Sequence, residues 1–196
     1  MHNRQAVIFS LNKREVKVPS ICIQEQDKNI VKNRYIEMIF ASWCSGKGAM
    51  PTKLGMQPQQ FEKFLDYFEL PKDWSYHQQL APIMGDDRGE EIQELYSLLL
   101  KQRTHGTETE AWIAWLVAVG SMGSDHLWSD LGLSKRSDLT AMLLANFYPL
   151  AKKNNWDMKW KKFLYRQLCE TKRGALCLAP TCEECIDYDE CYSIES

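Results

Sequence analysis

Four of the seven cysteines fall within fifteen residues, in the stretch CLAPTCEECIDYDEC over 177–191. The spacing is Cys177-x4-Cys182-x2-Cys185-x5-Cys191, and thiols crowded in this way are soft ligands for a metal or a cluster. Structural zinc asks for four ligands in a tetrahedron, usually as two cysteine pairs a dozen or more residues apart. Here the outer thiols lie four or five residues from the central pair, which leaves room for a compact zinc clip but not for two independent knuckles. An iron–sulfur cluster is larger and lets one short loop offer thiolates in succession. Cys177, Cys182 and Cys185 reproduce the C-x4-C-x2-C run that opens plant-type ferredoxin spacing, and Pro180 stiffens the first loop. Disulfides are the third reading, and the odd cysteine count weighs against a complete set. On spacing alone all three stay open, with an iron–sulfur or related cluster foremost.

Charge is divided sharply around this motif. Lys152, Lys153, Lys159, Lys161, Lys162, Arg166, Lys172 and Arg173 precede it, whereas Glu183, Glu184, Asp187, Asp189, Glu190 and Glu195 lie within or after it. A thiolate-bound cluster is anionic, so a basic helix beside it would ease assembly and could attract an oxyanion. A solvated helix face explains the same charges.

Outside the motif, His126 stands out. The segment DHLW places it between Asp125 and apolar Leu127–Trp128, where an imidazole could ligate a metal with the carboxylate orienting it. A capping or core histidine is the simpler reading of those residues. His2, His77 and His105 sit in polar contexts and read as exposed. Cys22, Cys44 and Cys169 have no ligand spacing to one another, and Cys169 continues an apolar stripe as a buried structural thiol. The segment CSGKGAMP lacks the first glycine of a phosphate loop and has Gly48 where Ser or Thr should follow Lys47. No nucleophile–base order, paired carboxylates or glycine-rich nucleotide loop emerges.

These residues need a scaffold. The chain has 196 residues with 44% apolar and 26% charged content, which suffices for one globular domain. A net charge of -2 gives no strong attraction to nucleic acid or an anionic membrane. The N-terminus holds only a four-residue apolar run, and AWIAWLVAVG (111–120) is about half a membrane span. A cytoplasmic location with reduced thiols is therefore expected. Most of the seven tryptophans should anchor the core.

The apolar spacing predicts an all-α bundle of about six helices with a short irregular cysteine-rich tail. Residues 1–32 read as an N-terminal arm, 33–173 as the helical domain and 174–196 as a cluster-binding tail packed on it. Tyr35, Ile36, Ile39, Phe40 and Trp43 share one helical face that ends at Gly46 and Gly48; Pro58 opens a second helix closed by Pro71. Residues 71–87 read as loop. A third helix spans about 86–103, its acids Asp86, Asp87, Glu90 and Glu91 suiting the N-terminal dipole. The fourth, about 107–121, is apolar nearly all round and belongs at the centre. A loop over GSDHLWSDLGLSKRSD leads to a fifth helix carrying Leu139, Met142, Leu143 and Phe147. Asn155 caps a sixth, whose stripe runs Trp156, Trp160, Phe163, Leu164 and Leu168.

The blocks SDHLWSDLGL (124–133), NNWDMKWKKFLYRQLC (154–169) and the cysteine motif, with a weaker match at GAMPTKLGM (48–56), resemble the NifQ family of the nitrogen-fixation system over roughly residues 33–192. The chain departs from that pattern after Cys191, where Tyr192-Ser193-Ile194 stands in place of an aromatic residue followed by glycine. The resemblance implies an iron–sulfur carrier rather than an enzyme. Molybdenum is added to its cluster and donated to the iron–molybdenum cofactor of nitrogenase. The implied partners are the cofactor-assembly scaffold and the nitrogenase iron protein. The implied ligands are Cys177, Cys182, Cys185 and Cys191, with His126 as an extra ligand near molybdenum. A zinc-stabilised structural or interaction domain, or a small iron–sulfur electron carrier, are the alternatives.

Overall fold

The stretch that is apolar on every side becomes the central rod of the molecule. In the computed structural model, which describes the backbone of residues 25–73 and 88–171 and side chains from 34 onward, Ile113, Ala114, Leu116, Val117 and Ala118 are fully buried. This rod is the fourth of eight helices among the described residues: α1 Glu25–Cys44, α2 Pro58–Tyr67, α3 Gly89–Lys101, α4 Glu108–Gly120, α5 Leu127–Asp130, α6 Arg136–Asn146, α7 Tyr148–Ala151 and α8 Trp160–Thr171. No strand occurs among the described residues, so the fold is all-α.

The start of α4 is written in its sequence. The Thr107 hydroxyl accepts from the Glu110 backbone N–H (3.2 Å), and the Glu110 carboxylate accepts from the Thr107 N–H (2.7 Å) and the His105 N–H (2.9 Å). This reciprocal capping box satisfies backbone donors that the helix itself leaves orphaned. Around α4 pack α3, α5 and a short turn at Thr52–Gly55; α1 and α5 lie against α6, and α8 against α3. An aromatic seam fills the side near α2, with Phe61 edge-on to Trp43 at 5.6 Å and Phe64 edge-on to Trp112 at 5.6 Å. Such offset geometries suit the ring quadrupoles.

Several boundaries differ from the sequence reading. The first helix begins at Glu25, ahead of the apolar spacing, because EQDKNIVKN is polar and carries no stripe to announce it. The loop before α6 contains the one-turn helix α5, and the segment after it contains α7, with Pro149 in its first turn. Helices this short bury too few residues to leave a period. Trp156 does not belong to the last helix: α8 starts at Trp160, and Trp156 lies 69% exposed in the turn before it. Asn154, not Asn155, organises that turn, accepting the Met158 N–H (2.9 Å) and donating to the Met158 carbonyl (2.8 Å). Residues 1–24, 74–87 and 172–196 lie outside the described residues, and with them Asp86, Asp87, Cys22, His2, His77 and the expected cysteine-rich tail.

Candidate metal centre

Of the five residues singled out as metal ligands, His126 is described; Cys177, Cys182, Cys185 and Cys191 lie outside the described residues. Among the described residues no group of three or more His, Cys, Asp or Glu side chains gathers. The candidate site is therefore built from the turn that carries His126 and from the helix that leads to the cysteines.

His126 occupies the position that caps α5, with extended backbone (φ -61°, ψ 142°) and a half-buried side chain. Its carbonyl accepts the Asp130 N–H at 2.9 Å, closing the single turn. The imidazole makes no capping bond, so the position agrees with the capping reading but the bond does not. Asp125 acts on the backbone: its Oδ1 accepts the His126 N–H (2.7 Å) and its Oδ2 accepts the Ser129 hydroxyl (2.9 Å). Those two donors hold the Asp125 carboxyl below the ordinary carboxylate range.

Beneath this turn lies an ion pair that sequence reasoning missed. Asp130 is 3% exposed, and its Oδ2 accepts from the Lys161 ammonium, whose side chain is 17% exposed. The same ammonium donates to the Gly123 carbonyl (2.8 Å), and the same carboxylate oxygen accepts the Asp125 N–H (3.2 Å). Gly123 has no Cβ for a physical reason: one would sit on the Asp130 carboxyl group. Read from sequence, Lys161 is one of the solvated bases of a basic helix. The available signal is its register, since Lys161, Leu164, Tyr165 and Leu168 share a face at spacings of three and four.

The segment GAMPTKLGM closes on the same residue from the other side. The Asp130 carbonyl accepts the Ala49 N–H (2.8 Å), and a Cβ on Gly48 (φ 79°) would lie 2.7 Å from that carbonyl oxygen. The Ser42 hydroxyl near the end of α1 donates to the Gly132 carbonyl (2.6 Å). Further along, Lys53, Leu54 and Gly55 run left-handed, with φ of 53°, 54° and 73°. For a residue bearing a Cβ that conformation is unfavourable by roughly 1–2 kcal/mol. The turn is held by Trp43 and Trp115, whose indole N–H groups donate to the Pro51 (3.0 Å) and Leu54 (3.2 Å) carbonyls. Thus GAMPTKLGM, SDHLWSD and MKWKKF, far apart in sequence, meet around Asp130.

A family model described as NifQ matches residues 35–193. The chain belongs to the NifQ family. The NifQ protein of Azotobacter vinelandii is 35% identical over 171 residues, covering 82% of this chain and 88% of its own length. That of Rhodobacter capsulatus is 33% identical over 155 residues (76% and 81%), and that of Klebsiella pneumoniae 30% over 166 (81% and 96%). No solved structure gives a significant match. The NifQ match runs over most of the described bundle and over the cysteine motif, so the Asp130 junction and the four cysteines lie within one matched span.

Of the remaining cysteines, Cys44 and Cys169 are described, and neither is as buried as the sequence reading expects of Cys169. Cys44 ends α1, partly buried against the core, and burial pushes its thiol up. Cys169 is half-buried near the end of α8, and His105 is exposed. On α8 the Tyr165 hydroxyl donates to the Glu91 carboxylate, joining α8 to α3; burial and that bond raise the phenol well above its usual range. No helix among the described residues is long and apolar enough to cross a membrane.

Proposed function

We propose that this chain is a cytoplasmic iron–sulfur carrier that accepts molybdenum and donates it to the iron–molybdenum cofactor of nitrogenase. NifQ membership implies a role in nitrogenase cofactor biosynthesis, and the donor set supports the finer reading. That set is the observation that carries it: four thiolates at C-x4-C-x2-C-x5-C within the matched span, downstream of a helix bonded to the His126 turn. Cys177, Cys182, Cys185 and Cys191 hold the cluster. When bound, it supplies soft sulfide and thiolate donors for reduced molybdenum, and the imidazole of His126 is the nitrogen donor that completes the metal's surroundings.

Chain length permits this arrangement. Lys161 to Thr171 is about 15 Å along α8. The six residues from Thr171 to Cys177 can span up to about 20 Å, more than that stretch of helix. The helical unit is the platform and residues 174–196 the cluster-binding segment. The acceptor is the cofactor-assembly scaffold, acting with the nitrogenase iron protein.

The test is anaerobic purification from cells supplied with molybdate, followed by iron, molybdenum, zinc and sulfide analysis. Iron with acid-labile sulfide and substoichiometric molybdenum is expected, the molybdenum being lost to an acceptor. Cys182→Ser and Cys185→Ser should lose iron while the helical circular dichroism stays. His126→Ala should lower molybdenum more than iron. About one zinc per chain, not displaced by iron and sulfide, would leave a structural clip instead. Molybdenum retained through transfer and redox cycling would favour an electron carrier.

A further inference from the structure

Burying two opposite charges rarely stabilises more than an apolar pair of similar volume would, so a buried pair invites the question of what its charges hold. In this protein they hold one turn. The Lys161 ammonium binds the Gly123 carbonyl and the Asp130 carboxylate; that carboxylate binds the Asp125 N–H; the Asp125 carboxylate binds the His126 N–H. The chain of bonds runs from Lys161 in the first turn of α8 to the backbone of His126, its other members all lying within residues 123–130. Gly123 brings the backbone against the carboxyl, and Ala49 fixes the carbonyl of the same Asp130 from behind.

We infer that the Asp130–Lys161 pair is a positioning device for His126, clamping the imidazole-bearing turn to the helix that leads to the cysteines. The inference rests on the proposed ligation by His126. Neither charged residue is itself a ligand: the Asp130 carboxylate is buried and bonded to Lys161 and Asp125, and the ammonium has no lone pair to give. A ligand contributes fully only when its support holds it close to the productive geometry, and loss of such support typically lowers metal affinity about 10–100-fold.

The test compares the full-length wild type with His126→Ala, with the charge-neutral pair Asp130→Asn/Lys161→Met, and with the triple variant. Each is reconstituted anaerobically with iron, sulfide and molybdate. The expected result is iron near wild type in all four, and molybdenum affinity down about ten-fold or more in both the single and the paired variant. The triple variant should be no worse than His126→Ala, because a residue acting through His126 has nothing left to lose once the imidazole is gone. Molybdenum unchanged in the paired variant but reduced in His126→Ala overturns the positioning role and spares the ligand. Molybdenum unchanged in His126→Ala overturns the ligand and the inference with it. Equal loss of iron and molybdenum in the paired variant, or additive losses in the triple, assigns the pair to the bundle alone. Should the paired variant not fold, amide exchange in the wild type decides: the Asp125 N–H should be protected like the α4 core, and free exchange there overturns the clamp.

Discussion

Two turns of this protein flank the start of α8, and both fall within the span that the NifQ model matches. The turn at 123–130 is locked from inside, by a buried ion pair and by backbone groups brought within reach of one carboxylate. The turn at 154–159 is locked from outside. Arg136 bonds the Asp157 carboxylate (2.6 Å), the Asp157 carbonyl (3.0 Å) and the Met158 carbonyl (3.2 Å), with the Asp157 side chain 74% exposed. Each uses one cation and one carboxylate, yet solvent makes them different devices. Water screens the outer pair and can replace either partner, so it contributes little. The inner carboxylate has no such substitute, since Asp130 is 3% exposed and its charge is uncompensated without Lys161. The outer turn even tolerates a left-handed Asp157 (φ 56°), beside a Trp156 that lies in water.

The contrast is open to direct challenge by unfolding experiments. Lys161→Met should be the most damaging change, lowering stability by about 3–5 kcal/mol because the Asp130 carboxylate keeps its burial and loses its cation. Chemical denaturation reads this directly, and a loss under about 1 kcal/mol, the range of an exposed pair, would mean that water reaches the inner pair after all. Gly123→Ala comes next, at about 1–3 kcal/mol, since its methyl must displace the Asp130 carboxyl. The same measurement on Gly106→Ala, where a Cβ meets nothing within 4 Å, separates crowding from the strain of its positive φ. Arg136→Ala should cost about 1 kcal/mol, and a loss as large as that of Lys161→Met would erase the distinction between the turns. Smallest of all, Trp156→Ala should stay within about 0.5 kcal/mol, because the indole is already in water.

Much of the bundle is legible before any coordinates. The faces built on Ile36, Ile39 and Trp43, on Phe61, Phe64 and Leu65, and on Leu139, Met142 and Leu143 are all buried, since an amphipathic stripe of three or four residues is a local property of the chain. The central place of α4 follows from its lack of a polar side, whereas the capping box of Thr107 and Glu110 at its start emerges in the structure. What escapes is short or irregular. α5 and α7 are single turns, and Trp156 extends the stripe of α8 in sequence because nothing local shows that Asn154, Asp157 and Arg136 interrupt it.

The sequence by itself determined the all-α class, the main faces, the family and the chemistry its thiols are suited to, because each depends on residue types at short, fixed spacings. Only the tertiary structure decided which of several similar bases meets a buried carboxylate, which carboxylate that is, and that three distant blocks converge on Asp130. A lysine 31 residues from its aspartate carries no local sign of the partner. The choice is made when packing buries the Asp130 carboxylate and brings Lys161 within reach of it.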